Sequence, residues 1–370
     1  MTPSPHRSPR DPRARLRLPT ILLVVAVAAG LVGIGYGFLA RAGTEALVAS
    51  PIATTSATDP ISSPSEPSAA ATPTIEPTPT PTPTPGPTLA ASAEPSPTPP
   101  QPGPGKVVVD RNVPFTPTVE CGDGGEHEPC RLRLDVWRGD RVSGAPVVVT
   151  LHGRPRTRAD MEPIDRLLAA RGAVVFNADY RGSDEVERGY PMSFEDVACA
   201  VRFARAHARR YGGDPSRIVL VGHSFGTYVG SIVSLDGDQY HGACVVKSGS
   251  AEPDAFVGLS GSYHWHETPI WDTFFGADRD DVPGRWADGD PHTHLGGNKG
   301  SAWRFVTERT DAILDPDSSL EFHRALKARG YDTRLQTLDG SGHFTILHLS
   351  GDARTAAKVI ESVAGLGGGR

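Results

Sequence analysis

Long apolar segments are scarce in this chain of 370 residues. A single run, residues 20–40, is both long and uncharged, which excludes a multi-pass membrane protein. Hydrophobic residues make up only 38% of the chain and the mean hydropathy is -0.28, which is low for one packed domain. No Gly-X-Y period is present, so a collagen-like chain is also excluded.

The shortage of apolar residues is local. Of the 35 prolines, 17 lie within residues 51–104, and Thr, Ser and Ala fill most of the other positions there. Such a composition cannot bury enough apolar surface to fold, so it predicts a disordered Pro/Thr/Ser-rich linker over residues 41–105, extended as polyproline II. Residues 106–370 have an ordinary globular composition and are numerous enough to form a sizeable core.

Positive charge is concentrated at the N-terminus. Residues 1–19 hold five arginines and one aspartate, a net charge of +4, so the other residues carry about -10 of the total of -6. The run 20–40 would span about 31 Å as a helix, enough to cross a bilayer. This pattern predicts a basic cytoplasmic tail (1–19), a transmembrane signal-anchor (20–40) and an extracellular body.

Two further expectations follow from these segments. A signal peptide cleaved near residues 40–42 is the alternative to the anchor, and it would give a secreted protein. The acidic body is a poor nucleic-acid binder, so no nucleic-acid partner is expected. The sequence leaves the oligomeric state open.

The body alternates strand-like with helix-like segments, which is typical of an α/β fold with a mostly parallel sheet covered on both faces. One long irregular interval, residues 248–300, interrupts the alternation and predicts a small cap or lid that carries Trp265 and Trp271. The predicted strands are residues 131–137, 146–151, 173–178, 217–221, 243–246, 302–307 and 333–338. The predicted helices are residues 161–171, 194–211, 226–235, 318–329 and 352–363.

A G-x-S-x-G motif joins one predicted strand to the next helix. Gly222-His223-Ser224-Phe225-Gly226 follows the strand at 217–221 and opens the helix at 226–235. In this context the glycines permit a sharp turn that exposes the serine hydroxyl above the sheet. Ser224 is therefore the predicted nucleophile, and the N–H of Phe225 is the predicted first oxyanion donor.

A serine nucleophile needs a base, and in this architecture the chain order is Ser, acid, His. His343 lies in a Gly-rich loop after the strand at 333–338 and is preferred as the base over His348. Asp311 is preferred as the acid, because Asp315 and Asp317 flank a proline and resemble helix-capping residues. The acidic residues that follow the strand at 302–307 are Glu308, Asp311, Asp315 and Asp317.

The second oxyanion donor should come from the loop after the strand at 146–151. That loop reads His152-Gly153-Arg154, and the N–H of Arg154 is the predicted donor, with Gly153 as the alternative.

With these residues in place, the body resembles an α/β-hydrolase of the bacterial carboxylesterase and esterase/lipase group. It is similar to feruloyl and acetyl-xylan esterases and to the prolyl-oligopeptidase-like branch. The resemblance implies an eight-stranded sheet and a Ser/Asp/His triad. Many relatives read His-Gly-Gly-Gly where this chain has His152-Gly153-Arg154-Pro155. The segments that match are His152-Gly153, Asp179-Tyr180-Arg181, residues 196–218, GHSFG at 222–226, Asp311-Ala312-Ile313-Leu314 and Gly342-His343-Phe344.

The cysteines and histidine pairs suggest further sites. Cys121 and Cys130 lie nine residues apart in a polar loop and are predicted to form a disulfide outside the cell, whereas Cys199 and Cys244 are expected to be small core residues. Two His-x-His pairs, residues 264–266 and 292–294, do not display the four ligands of a zinc site, so no metal is assigned.

Together these features predict an exported serine hydrolase that cleaves short-chain or aryl carboxylic esters through an acyl-enzyme, without a metal or organic cofactor. Its expected partners are a small-molecule ester and, through the N-terminal helix, the membrane. A prolyl-oligopeptidase-like peptidase and a catalytically silent cell-surface binding module are the alternatives. The residues predicted to line the substrate pocket are His152, Gly153, Tyr180, His223, Trp265 and Trp271.

Overall fold

The computed structural model describes residues 103–121, 128–184, 188–265, 269–340, 342–348 and 351–366. The predicted cytoplasmic tail, the predicted membrane span and nearly all of the predicted linker lie outside the described residues. Among those that are described, no helix is both long and apolar enough to cross a membrane.

An eight-stranded sheet organises the described part of the chain, in the order β1-β4-β6-β5-β7-β8-β9-β10. Strand β4 runs antiparallel to both of its neighbours, and the strands from β6 to β10 pair in parallel. Strands β2 and β3 form a separate antiparallel hairpin. The strands are β1 (Val107–Pro114), β2 (Val119–Cys121), β3 (Glu128–Cys130), β4 (Arg133–Gly139), β5 (Ala145–Leu151), β6 (Val174–Ala178), β7 (Gly213–His223), β8 (Ala255–Leu259), β9 (Ala302–Glu308) and β10 (Thr333–Leu338).

Helices cover both faces of the sheet, as the alternating pattern predicts. The central strands are buried on both sides: in β5, Val147 and Val149 point into one apolar core while Val148 points into the other. Helices α2, α3 and α6 pack into the first core, and α1 and α7 pack into the second. The helices are α1 (Glu162–Ala170), α2 (Met192–His207), α3 (Phe225–Asp236), α4 (Pro269–Phe275), α5 (Pro283–Asp288), α6 (Pro316–Ala328) and α7 (Gly351–Ala364).

One predicted strand is wrong. Residues 243–246 form a loop, and the strand that pairs with β7 is β8, residues Ala255–Leu259. The apolar run is misleading because Val245 is exposed and Cys244 is engaged with helix α2 instead of a sheet neighbour. Strand β8 therefore lies inside the interval 248–300, and only the residues between β8 and β9 remain for a cap.

Two disulfides brace the fold. The predicted pair, Cys121 and Cys130, is joined across the β2–β3 hairpin, with 5.8 Å between the Cα atoms. Cys199 and Cys244 are buried, as expected of core residues, but they are also joined, with 5.1 Å between the Cα atoms. The second disulfide ties helix α2 to the loop that precedes β8.

Candidate active site

Ser224 occupies a sharp turn between strand β7 and helix α3. Its backbone has φ 54° and ψ -123°, a conformation that costs energy for any residue other than glycine. The flanking glycines are required by close approach, since a Cβ on Gly222 would lie 2.4 Å from the Gly226 carbonyl oxygen and one on Gly226 would lie 2.7 Å from that of Leu151. The turn therefore has the geometry that the G-x-S-x-G motif predicts, and Ser224 is 8% exposed.

His343 and Asp311 form a buried pair. The Nδ1 of His343 donates to Oδ2 of Asp311 at 2.7 Å, and both side chains are almost fully buried. The backbone N–H groups of Ile313 and Leu314 donate to the other carboxylate oxygen at 2.9 and 3.0 Å. Burial alone would raise the pKa of Asp311, but the hydrogen bonds from His343 and from these two amides lower it below its usual value. An ionised Asp311 fixes the tautomer of His343 that leaves Nε2 as the basic nitrogen.

The other acidic candidates have different partners. Asp315 caps helix α6, where its Oδ1 accepts the N–H of Asp317 at 2.9 Å, so the capping interpretation of Asp315 is confirmed. His348, the alternative base, is exposed. The carboxylate that is hydrogen-bonded to His343 is thus Asp311, the acid that the sequence favours.

His223 links the serine turn to the histidine loop. Its Nε2 lies 2.9 Å from the carbonyl oxygen of His343, and the two rings are 4.8 Å apart between centroids. Burial, with a smaller contribution from His343, lowers the pKa of His223 to about 3, so its ring is neutral near pH 7 and donates this hydrogen bond. His223 is therefore a buried support for the loop that carries His343, and its place in a substrate pocket stays a prediction.

Glu308 holds the same loop from the opposite side. It is the last residue of β9, is fully buried, and accepts the N–H of Gly342 at 2.8 Å and the hydroxyl of Thr345. A Cβ on Gly340 would lie 2.6 Å from the Glu308 carboxylate, so the loop passes directly over this side chain. The sequence singled out Glu308 only as a possible acid of the triad. Its role in holding the loop has no sequence signature, because both partners follow it by more than thirty residues.

The loop after β5 packs against the nucleophile. A Cβ on Gly153 would lie 2.9 Å from Cβ and 3.4 Å from Oγ of Ser224, so only a glycine brings the backbone this close. The carbonyl of His152 accepts the Tyr180 hydroxyl at 2.7 Å, and the two rings stack with 4.8 Å between centroids. His152 and Tyr180 are buried and support the loop, and their predicted contact with substrate stays a prediction.

The predicted oxyanion donors flank this site. Phe225 is the first residue of α3, and N–H groups in the first turn of a helix have no acceptor within the helix. Arg154 replaces a glycine of the motif found in many relatives, and its guanidinium carbon lies 5.3 Å from the centroid of the Phe225 ring. Its Nε donates to the carbonyl of Asp184 at 2.7 Å. The backbone N–H of Arg154 stays a prediction as the second donor.

Most aromatic residues between β8 and β9 are packed into the interior. The Trp271 ring lies 5.7 Å from Phe225 and 4.8 Å from Tyr228, so it is a buried wall beside the serine turn. Trp265 is half-buried and packs on Trp286 at 4.9 Å. The segment is therefore a small cap whose aromatic residues join the first apolar core, and both Trp271 and Phe274 pack against Phe225 beside the serine turn.

Of the two predicted His-x-His pairs, the structure describes both members of 292–294, whereas His266 of the pair 264–266 lies outside the described residues. His294 is engaged elsewhere, with Nε2 at 2.7 Å from the carbonyl of Asp288. His264 and His292, one from each pair, stack on each other, and together with Asp290 they form the one group within the described part of the chain that could hold a metal ion.

Part of the chain is similar to known esterases. The BD-FAE family model matches residues 134–261. Esterase LipC of Mycobacterium tuberculosis is 30% identical over 149 residues, which cover 38% of this chain and 36% of that protein. Carboxylesterase NlhH of the same species is 32% identical over 93 residues, covering 24% and 28%. The chain thus spans about a third of the length of these curated relatives.

Solved structures show the same fold at low identity. A butyrate-bound esterase from Thermogutta terrifontis has a TM-score of 0.53 at 18% identity, covering 67% of this chain and 93% of that one. A bifunctional GH43-CE protein from Bacteroides eggerthii has a TM-score of 0.54 at 20% identity, covering 64% and 36%. The fold is the α/β-hydrolase fold, and the resemblance to its carboxylesterase-like group is confirmed.

Proposed function

We propose that this protein hydrolyses carboxylic esters through a covalent acyl-enzyme. The observation that carries the proposal is the buried His343–Asp311 hydrogen bond of 2.7 Å, on a loop that His223 ties to the Ser224 turn. This arrangement supplies a nucleophile, a base of fixed tautomer and an ionised acid beyond the carboxyl ends of the parallel strands. The esterase relatives support the same reaction class.

The steps assign one role to each group. The Ser224 hydroxyl attacks the acyl carbon while His343 accepts its proton, and the carbonyl oxygen becomes an oxyanion that the N–H groups of Phe225 and Arg154 stabilise. His343 then returns the proton to the leaving alcohol, which leaves an acyl-serine. Water, deprotonated by His343, attacks the acyl-serine and releases the acid, and Asp311 stabilises the imidazolium in both halves.

The substrate we propose is a short-chain or aryl ester. The cap between β8 and β9 packs its aromatic residues inward and places Trp271 against Phe225, which limits the apolar space beside the nucleophile. The Thermogutta terrifontis esterase has been solved with butyrate and with propionate, and we extend that size range to this chain. We expect the highest kcat/KM for acyl chains of about two to six carbons, because longer chains need more apolar contact area.

A panel of p-nitrophenyl esters from C2 to C12, run beside a proline-amide substrate, tests both reaction and chain length. The S224A variant is the control for background hydrolysis, and labelling by a fluorophosphonate should be lost with it. Turnover of the amide but not the esters would identify a peptidase. Absence of both turnover and labelling in folded protein would identify a silent binding module, and a steady rise to C12 would refute the short-chain proposal.

We further propose that the catalytic domain works outside the cell, held by the uncharged run at residues 20–40. The two disulfides support this location, because disulfides persist in oxidising compartments. Membrane fractionation with intact-mass measurement tests the anchor. A soluble form that begins near residue 43 would show cleavage instead, and reduced cysteines in protein isolated from cells would contradict export.

A further inference from the structure

Three metal-ligating side chains meet at the base of the cap. His264 follows strand β8. Asp290 lies just before the short 3₁₀ turn Pro291–His294, and His292 lies within this turn, ahead of β9. One ligand atom from each residue lies within 4.8 Å of the other two. The imidazole rings of His264 and His292 stack with 4.2 Å between centroids and an angle of 14° between planes.

His292 presents an unpartnered ring nitrogen to this cluster. Its Nε2 is buried and has no hydrogen-bond partner among the described residues. The Phe322 ring packs edge-on at 5.1 Å and shields the imidazole from water on that side. A buried imidazole nitrogen of this kind is costly unless something binds it.

The two other residues are held in place by their own partners. Oδ1 of Asp290 accepts the backbone N–H of His292 at 2.9 Å, which fixes the carboxylate relative to the ring. Oε2 of Glu321 lies 3.5 Å from Nε2 of His264. A carboxylate paired with the far nitrogen of a metal-ligating histidine is the usual outer-shell arrangement, and it leaves Nδ1 of His264 for the ion.

We propose that His264, Asp290 and His292 bind a divalent transition metal, with Zn²⁺ as the best match. Two imidazole nitrogens and one carboxylate oxygen suit Zn²⁺, whereas Ca²⁺ and Mg²⁺ prefer all-oxygen sites. Tetrahedral Zn²⁺ with ligands at about 2.0–2.1 Å holds the donor atoms about 3.3 Å apart, so the ligand atoms, which lie within 4.8 Å of one another, would draw closer by up to about 1.5 Å on binding. Water completes the fourth position.

The proposed metal site would stabilise the cap and would take no part in ester hydrolysis. Its ligands lie at the two ends of the segment that contains α4 and α5, so a bound ion closes this segment into a loop. The same segment carries Trp271 to its contact with Phe225. Metal binding should therefore stabilise the cap, and the effect should be visible as increased thermal stability even with Ser224 replaced.

Calorimetric titration of the untagged, chelator-treated full chain with Zn²⁺ tests the site, and the visible absorption of Co²⁺ reports the coordination. We expect one ion per chain, tetrahedral Co²⁺ bands and a higher melting temperature with Zn²⁺. The H292A and H264A variants should each bind at least about tenfold more weakly. The D290N variant keeps the acceptor for the His292 N–H but loses the charge, so it should weaken binding without loosening the turn.

The H323A variant is the matched control, because His323 lies on α6 and its Nδ1 is bonded to Thr333 at 2.8 Å. It should bind like the wild type. The melting temperature of each metal-free variant reports whether it is folded. Zn²⁺ binding that persists in the H264A/H292A double variant, or that H323A weakens equally, would overturn the proposal. So would the absence of binding to wild-type protein in the micromolar range.

Discussion

The buried carboxylate of Glu308 offers the sharpest test of how the base is positioned. It accepts two hydrogen bonds from the loop that carries His343, one from the Gly342 N–H and one from the Thr345 hydroxyl. The His343 ring itself is bonded through Nδ1 to Asp311. Replacing Glu308 therefore perturbs the placement of the base and leaves the triad residues intact.

Two replacements should have very different effects. In E308A both loop donors lose a charged acceptor, at about 1.5–3 kcal/mol each, so the correct loop position becomes about 3–6 kcal/mol less favourable. At about 1.4 kcal/mol per factor of ten, kcat/KM can fall by about 10²–10⁴. In E308Q the amide oxygen can accept from Gly342 and the amide nitrogen can donate to Thr345, which keeps its own bond to the Gly342 carbonyl at 2.8 Å. We expect E308Q to retain kcat/KM within about tenfold of wild type.

The assay is kcat/KM on p-nitrophenyl acetate, with the melting temperature measured for each variant to confirm folding. The R309A variant is the matched control, because Arg309 is the next residue and its side chain makes an exposed ion pair with Asp339. It should behave like the wild type. If folded E308A keeps kcat/KM within about threefold of wild type, Glu308 does not position the base.

Three further predictions concern the site and its frame. D311N should lower kcat by about 10⁴, because the amide favours the wrong tautomer of His343, whereas D315N should lose only a helix cap; the opposite ranking would mean that the acid is misassigned. G153A places a methyl group 2.9 Å from Cβ of Ser224 and should reduce kcat/KM by about a hundredfold, and an unchanged value would contradict the close packing seen here. Removing the Cys199–Cys244 disulfide, which spans 45 residues, should lower the free energy of unfolding by about 4 kcal/mol under oxidising conditions, and equal stability in denaturant titrations would show that the bond does not form.

The sequence predicts those parts of the fold that local patterns determine. Strand β10 was predicted with the same bounds, and the serine turn was predicted because two glycines and a strand-to-helix change are encoded within a few residues. Asp311 and His343 were selected through the chain order that the fold imposes, and the structure joins them by a hydrogen bond. In each of these cases the information lies in a short segment or in a known order of elements.

The parts that the sequence did not predict depend on contacts between distant segments. The five residues of β8 resemble other short apolar runs, and only pairing with β7 distinguishes them from residues 243–246. The pairing of Cys199 with Cys244 follows from the packing of α2 against the preceding loop of β8. The loop-holding role of Glu308 likewise depends on the parallel alignment of β9 with β10, which places Leu338 opposite Glu308.

The order of strands has a consequence for how this protein loses activity on heating. Ser224 follows β7 in the middle of the sheet, but the proposed acid and base follow β9 and β10, and β10 is an edge strand with Arg334, Gln336 and Thr337 exposed. Outer strands open more often than central ones, so amide hydrogens of β10 should exchange with solvent sooner than those of β5 or β7. Each such opening moves the base away from the nucleophile while the core stays folded. Inactivation on heating should therefore precede global unfolding, because the local stability of the edge strand β10 limits how long activity is retained.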